Sequence, residues 1–362
     1  MRRVSLLLFA VIASAMVPLP VVTPQDPSHI SGVNTCAARV AGPTDTAITW
    51  HVGPVEDAHM LGQWCRGVGN PLVFHASTPD RPPGPPPLES LVVVTWNAHL
   101  AGGELETLVA NLRAGRLTDG VPVDRFVLLL QELYRRGPEV PTFGPDTRSA
   151  FAIRARNPNA PDARQYGERL GLSLVYIPSM RNGADLFEDR GNAIVSTEPL
   201  HDLFALELPF ERQRRVAIGA TINVRTGTGI ARLNLLNTHL EPLSSPKSLW
   251  VFRNPRRRQV AAILDMLQVP RFEPSRTVVG TIVGGDFNTI QDGVEEEAYT
   301  QARAWTQGLV AEDPRTTHYL GRLDYLFVRL APEWAARTTR ANERFGSDHF
   351  PVIGRFSTSP GR

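Results

Sequence analysis

Between residues 91 and 358 the chain repeats one pattern: a short apolar, β-branched run that stops abruptly on polar residues. LVVVTWNAH at 91–99 and RFVLLLQEL at 125–133 begin it. LSLVYIP, GNAIVS, RRVAIGATINV, IARLNLLNTHL and VVGTIVGGDFN continue it, and RLDYLFVRL at 322–330 and a strand after Pro351 close it. Runs of this length and composition predict buried strands. Helical spacing intervenes at Leu105, Leu108, Val109 and Leu112, with Gly115 as a stop, and again over 256–268 and 298–310. Many strands with few helices imply sheets packed on each other, with helices on the outer faces. Polar strand ends held by rigid sheets can face one crevice. No internal repeat of fixed period is present.

The chain has 362 residues, 42% of them hydrophobic and 20% charged, which suits a globular protein and gives no support to wholesale disorder. Residues 1–25 have the order of a secretory signal peptide: Arg2 and Arg3, an apolar run from Val4 to Val11, then small residues at Ala13 to Ala15. A retained anchor is the rival reading, but Pro18 and Pro20 leave the apolar stretch short for a membrane span. The expectation is a secreted or periplasmic protein without stable membrane insertion. Loss of Arg2 and Arg3 takes the formal charge from +2 to 0, so no strong overall positive field remains. Lys247 is the sole lysine, and clustered Arg is therefore weak evidence for a binding patch.

Residues 26–77 form a small segment holding both cysteines, Cys36 and Cys65, for which export favours a disulfide. The proline-rich stretch 78–90 reads as a stiff linker to the domain at 91–358.

Several strand ends carry chemistry. Asn97 can hold a metal-bound water or a phosphate oxygen, or simply make a turn. Glu132 follows an apolar run from Phe126 to Leu130, where a carboxylate needs a cation or a salt bridge. Asn237 and His239 are two positions apart, as are Asp286 and Asn288, so each pair shares a strand face. Gly284 and Gly285 permit close backbone approach or a tight bend. Asp286 can orient and deprotonate water, while an Asx-turn is the plainer reading. Asp324 lies in an apolar strand, and Asp348 and His349 stand just before Pro351. A carboxylate bonded to an imidazole fixes its tautomer and raises its basicity, and Asp324 with His349 is the natural pair.

Taken in order, TWNAH, LQE, GNAIVS, NTHL, GGDFN, RLDYLFV and SDHFPV resemble the endonuclease/exonuclease/phosphatase superfamily, over about 91–357. The resemblance implies a four-layered α/β sandwich with two central mixed β-sheets, DNase I-like, and a site where the sheets open at one edge. It implies Mg²⁺, with Mn²⁺ or Ca²⁺ as substitutes, held by Glu132 with help from Asn97 and Asp348. Oxygen-rich ligands without a thiolate agree with a hard ion. By the same resemblance Asp286 activates water, Asn288 and Asn237 orient phosphate, His349 with Asp324 contacts the phosphoryl oxygen, and His239 is a second histidine. Gly191 and Asn192 match a structural signature beside the cleft.

The signatures describe phosphate chemistry rather than the attached group. A phosphodiester in DNA or RNA ranks first, ahead of a sphingomyelinase-type substrate and a phosphomonoester; a non-catalytic binding protein on the same fold ranks last. ERQRR at 211–215 and NPRRRQ at 254–259 can touch a phosphate backbone or lie on the surface. Trp250 and Phe252 can stack on a base, touch lipid or pack internally. An exposed aromatic hairpin would favour lipid, and 289–323 offers little room for one. No protein partner is expected.

Overall fold

The computed structural model describes residues 48–76, 83–144, 155–157, 159–183, 186–242, 255–289 and 297–359. The signal-like start, Cys36, Trp250 and Phe252 lie outside these residues, as do residues 78–82 of the proline-rich stretch.

The polar-ended runs form strands of two mixed sheets. One sheet holds six strands in the order β1 (Thr49–His51), β7 (His201–Glu207), β8 (Val216–Thr226), β9 (Gly229–His239), β10 (Val278–Asp286) and β12 (Asp324–Leu330). The other holds eight: β11 (Leu309–Ala311), β13 (Trp334–Arg340), β14 (Val352–Thr358), β3 (Val92–Asn97), β4 (Phe126–Arg136), β6 (Glu188–Ser196), β5 (Ser173–Arg181) and β2 (Leu72–Phe74). β10 runs parallel to β9 and antiparallel to β12. β4 runs parallel to β3 and antiparallel to β6.

Alternation along each strand sorts side chains into layers. Val93, Val127, Leu129, Val175 and Ile194 from one sheet meet Ile218, Ile222, Leu233, Leu235, Ile282 and Leu326 from the other in a central core. Val94, Trp96, Leu128 and Leu174 face outward against α2 (Leu105–Arg113) and α3 (Ala163–Leu170). Leu236, Val283, Phe287 and Phe327 face outward against α4 (Pro255–Met266) and α5 (Glu297–Trp305). Each sheet is thus buried on both faces, which explains why its strands read as near-continuous apolar runs.

Three elements depart from the periodicity reading. The helix expected over 298–310 ends at Trp305, and Leu309–Ala311 is a short strand beside β13; Gly308 at φ +99° turns the chain between them. α3 was not expected, although Asp162 and Gln165 close a reciprocal capping box at its start and Gly171 ends it at φ +61°. The segment before residue 78 is no separate appendage in its described part. β1 extends the six-stranded sheet beside β7, β2 extends the eight-stranded sheet beside β5, and α1 (Ala58–Cys65) lies between them in sequence. Arg135 fixes this segment by donating to the Asn70 carbonyl at 2.6 Å while paired with Asp189 at 2.5 Å.

The linker expectation also changes. The Pro86 carbonyl accepts the Arg225 N–H at 2.7 Å, and Leu88 is fully buried in the central core. Here the prolines form a wall of the domain.

Gly191 is required by contact between strands: a Cβ there would sit 1.9 Å from the Ile177 carbonyl oxygen. Gly191→Ala is expected to lower unfolding stability by about 1–3 kcal/mol, read from chemical denaturation midpoints. An unchanged midpoint would mean that β5 and β6 separate without cost.

Candidate active site

On the inner faces, apolar residues give way to polar ones at the same end of both sheets. β9 runs through Leu233, Leu235, Asn237 and His239; β10 through Ile282, Gly284 and Asp286. Asp286 pairs in register with His239 on one side and Asp324 on the other. Asn97 ends β3 opposite Gln131 of β4. These side chains stand one step beyond the last apolar pair, where the sandwich opens. Gly285, at φ +153°, would place a Cβ 1.9 Å from the Thr238 carbonyl oxygen, so only glycine lets β10 lie this close to β9.

Asp286 is the centre of the cleft. Its Oδ2 accepts from Asn97 Nδ2 at 3.0 Å, and its Oδ1 accepts the Asn288 N–H at 2.8 Å. His239 Nε2 lies 3.4 Å and His349 Nε2 3.7 Å from Oδ2. Burial raises the Asp286 pKa to about 6, partly opposed by His349 and reinforced by Asp324. His349 Nδ1 lies 2.8 Å from Asp324 Oδ2. Burial disfavours the imidazolium, but Asp324 and Asp286 outweigh it and lift the His349 pKa to about 10. The Trp96 indole donates to the His349 carbonyl at 3.1 Å, and Ser347 Oγ accepts the His349 N–H at 3.0 Å. His239 goes the other way: burial, then Arg215, His349 and Arg190, hold it well below its ordinary pKa and keep it neutral.

Asn288 lies at φ +52°, just past β10, and gives one amide hydrogen to the Leu240 carbonyl at 3.0 Å. Phe287 between them is buried against α4 and α5. Glu132 occupies a bulge in β4, at φ +53°, where the register with β6 slips between Leu130 and Leu133. The bulge turns a side chain that alternation would have aimed outward. Its half-buried carboxylate makes no hydrogen bond or ion pair among the described residues.

Asn237 requires a correction. It shares a face with His239, as its spacing implies, but sits deeper, inside the sandwich. Its amide donates to the Leu130 and Ala193 carbonyls, both at 2.8 Å, and accepts from Gln131 at 2.6 Å. Both its hydrogens are used, so it ties the sheets together and has no donor for phosphate. Asn192 is a second tie, donating to the Val216 carbonyl at 2.7 Å.

Asp348 stands among imidazoles. His99 Nδ1 is 3.3 Å, His318 Nε2 3.6 Å and His349 Nε2 3.9 Å from its oxygens. Burial alone would raise its pKa, yet His318 and the neighbouring rings hold it at about 2. His99 and His318 were both missed from sequence. His99 follows Asn97 in a left-handed stretch where strand parity no longer applies. His318 lies in a tight turn over 317–321, its ring 4.6 Å from that of His349. Its Nδ1 accepts the Leu320 N–H at 3.1 Å, which leaves the proton of a neutral ring on Nε2, facing Asp348. Tyr319 is 75% and Leu320 45% exposed at the tip of this turn.

Two clusters, Asp286–Asp324–His349 and His318–Asp348–His349, bring ligand atoms within 4.8 Å of one another and could hold a divalent cation. The second requires His318 to break its bond with Leu320 before Nε2 can serve as a ligand. Two further observations fit a cation: the unpartnered Glu132 carboxylate, and the buried Asp324 Oδ1, which has no hydrogen-bond partner. These oxygens suit a hard ion.

The arginine runs are mostly consumed internally. Arg214 is buried and paired with Glu207 at 2.5 Å, Arg257 with Glu297 at 3.4 Å and Arg258 with Glu211 at 2.6 Å. Among the described arginines, Arg215 and Arg190, the latter not singled out from sequence, line a recess together with Glu132 and His239.

No curated protein matches the chain. Among solved structures it is similar to an endonuclease/exonuclease/phosphatase family protein from Leptotrichia buccalis (16% identity, 74% of this chain and 99% of that one, TM-score 0.47). It is also similar to the human Nocturnin catalytic domain (16%, 80% and 98%, TM-score 0.43). A magnesium-bound beta toxin variant from Staphylococcus aureus is a third (14%, 73% and 98%, TM-score 0.40). The profile of one family matches residues 94–349, from β3 to His349, and so spans the strand ends that build this cleft: the chain belongs to the Endonuclease/Exonuclease/phosphatase family.

Proposed function

We propose that the protein is a divalent-cation-dependent phosphodiesterase, most specifically a nuclease, that hydrolyses its ester by in-line attack of water. The observation carrying this reading is Asp286, buried and ionising near 6, within 3.7 Å of two imidazoles of opposite protonation preference. Groups whose environments push their pKa values apart divide the acid and base roles between them. Asp286 takes the proton of the attacking water. His349, protonated up to about 10 and held through Nδ1 by Asp324, presents Nε2–H to a phosphoryl oxygen as charge develops. Asn288 keeps one amide hydrogen for the same group. Glu132 and Asn97 would hold Mg²⁺ or Mn²⁺; when bound, such an ion neutralises nonbridging-oxygen charge and stabilises the leaving oxygen.

The nuclease reading draws on Tyr319, whose exposed ring beside His318 can stack on a base. A sphingomyelinase-type reading draws on Leu320, which makes the same turn a small apolar tip despite the short interval that carries it. Export rests on the N-terminal sequence.

The test offers purified protein duplex DNA, RNA, sphingomyelin and phosphomonoesters, with Mg²⁺, Mn²⁺ or Ca²⁺ and with chelator. Cation-dependent cleavage of a nucleic acid is expected, and turnover confined to phosphomonoesters would defeat the reading. Glu132→Gln is expected to raise the Mg²⁺ concentration for half-maximal activity by about 10-fold or more. An unmoved requirement would transfer the ligand role to another carboxylate.

A further inference from the structure

Beside the turn that carries His318, three arginines share one carboxylate. Arg315 takes both oxygens of Asp313, at 2.6–3.0 Å, and bonds the Arg340 carbonyl at 2.6 Å. Asp313 also accepts from Arg340, but from its backbone N–H, at 2.8 Å. The guanidinium groups of Arg340 and Arg344 lie instead over the ring of Phe350, 3.9 and 4.5 Å from its centre. Arg340 reaches one carbonyl, that of Thr316, at 3.5 Å. The Arg344 guanidinium makes no hydrogen bond or ion pair among the described residues, and the Nε of each arginine is buried without a partner. Glu343, exposed beside Arg344 in the chain, forms no ion pair among the described residues either. Burial, then Arg315 and Arg344, push the Arg340 guanidinium below its ordinary pKa against the pull of Asp313. A ring face attracts one cation, but two held on it repel each other. A polyanion would relieve that repulsion.

Position names the polyanion. Phe350 donates its N–H to the Thr317 carbonyl at 2.8 Å, which ties the arginine-bearing ring to the turn over 317–321. That turn displays Tyr319, 75% exposed, with its ring 4.0 Å from that of His318; His318 in turn stands 4.6 Å from His349. The cleft, an exposed ring and two arginines without a carboxylate therefore adjoin. A single-stranded polynucleotide offers phosphates to cations and bases to rings. A membrane surface would find one exposed apolar side chain on this turn, Leu320.

We infer that Arg340 and Arg344, stacked on Phe350, form a phosphate-binding rim for a polynucleotide strand leaving the cleft past Tyr319. The strand is held by phosphates other than the one attacked. The inference rests on the nuclease reading for its kinetic meaning, but the binding itself does not.

Full-length protein, with chelator and no divalent cation, is titrated against a fluorescein-labelled oligothymidylate of about 12 nucleotides and followed by anisotropy from about 50 to 200 mM salt. Binding that weakens steeply with salt is expected. Arg340→Gln with Arg344→Gln should weaken binding about 10-fold or more at the lowest salt and reduce the slope of log affinity against log salt by about 1–2. The single variants should each take about half of that slope change, and they serve if the double variant unfolds. Arg340→Lys with Arg344→Lys should keep the slope, because the charges remain. Arg276→Gln, at an exposed position beside the opposite end of β10 from Asp286, should change neither quantity. Tyr319→Ala should cost about 5-fold or more in affinity and leave the slope alone. With Mg²⁺ restored, the double glutamine variant should lose about 10-fold in kcat/KM on the oligonucleotide. It should lose much less on a dinucleoside monophosphate, whose single phosphate is the one attacked. Wild-type protein that binds no oligonucleotide overturns the rim, as does an unchanged slope in the glutamine variants. Weakened binding to phosphatidylglycerol vesicles with oligonucleotide binding untouched also overturns it and assigns the arginines to a membrane surface. An oligonucleotide bound through these arginines but never cleaved keeps the rim and defeats the nuclease reading.

Discussion

Asp286→Asn is expected to lower kcat by about 10²–10⁴-fold and to leave the Mg²⁺ requirement where it was. The substitution keeps the shape of the side chain and an oxygen for the Asn288 N–H, but it removes the group that takes the proton from water. Single-turnover kinetics beside a metal titration separate the two effects, and full activity in the variant would defeat the assignment. Stability offers an independent reading. The folded pKa of Asp286, about 6, lies above its ordinary 3.8. Below 3.8 the group is neutral in both folded and unfolded chains; as pH rises through about 6 it ionises in a buried place, and folding stability is lost. Without divalent cation, the variant should therefore be more stable than wild type at pH 7.5, by on the order of 1–3 kcal/mol. That difference should close toward pH 4. Denaturation curves that are parallel at both pH values would show that burial does not strain this carboxylate.

Asp324→Asn should produce the second largest loss, about 10²–10³-fold in kcat, through His349. With Asp324 in place, the His349 pKa is raised from 6.5 to about 10. The stability carried by that charged pair is full below 6.5 and disappears as pH rises through about 10. Activity that needs both an ionised Asp286 and a protonated His349 should rise through about pH 6 and fall toward about pH 10. In Asp324→Asn the alkaline limb should move down by more than one pH unit, and the acid limb, which Asp324 also raises, should move down by less. Equal shifts of both limbs would mean that Asp324 acts on the whole cleft rather than chiefly on the imidazole.

The strands and the family were legible because period-two patterning and motif order are local properties of the sequence. Leu233, Leu235, Asn237 and His239 show where that legibility stops. Parity put all four on one face, but nothing in parity says how far along the strand the sandwich remains closed, so a tie between the sheets was read as a phosphate ligand. Glu132 was singled out by its apolar approach, while the bulge that aims it was not foreseen. His99 and His318 lie in turns, where no period applies. Arg340 and Arg344 were hidden by composition: in a chain with a single lysine, an arginine that meets a carboxylate and one that does not look alike until folding separates them. α3 carried a readable capping signal at Asp162 and Gln165 that was passed over.

The family match begins at residue 94, yet the folded unit begins earlier. One short stretch, 49–74, lays β1 along β7 and β2 along β5, covering the open border of each sheet. A protein cut at the motif boundary would keep every group in the cleft while baring two rows of unsatisfied backbone donors and acceptors. Such borders recruit strands from other molecules. The stretch that carries none of the cleft residues is the one that covers a border of each sheet.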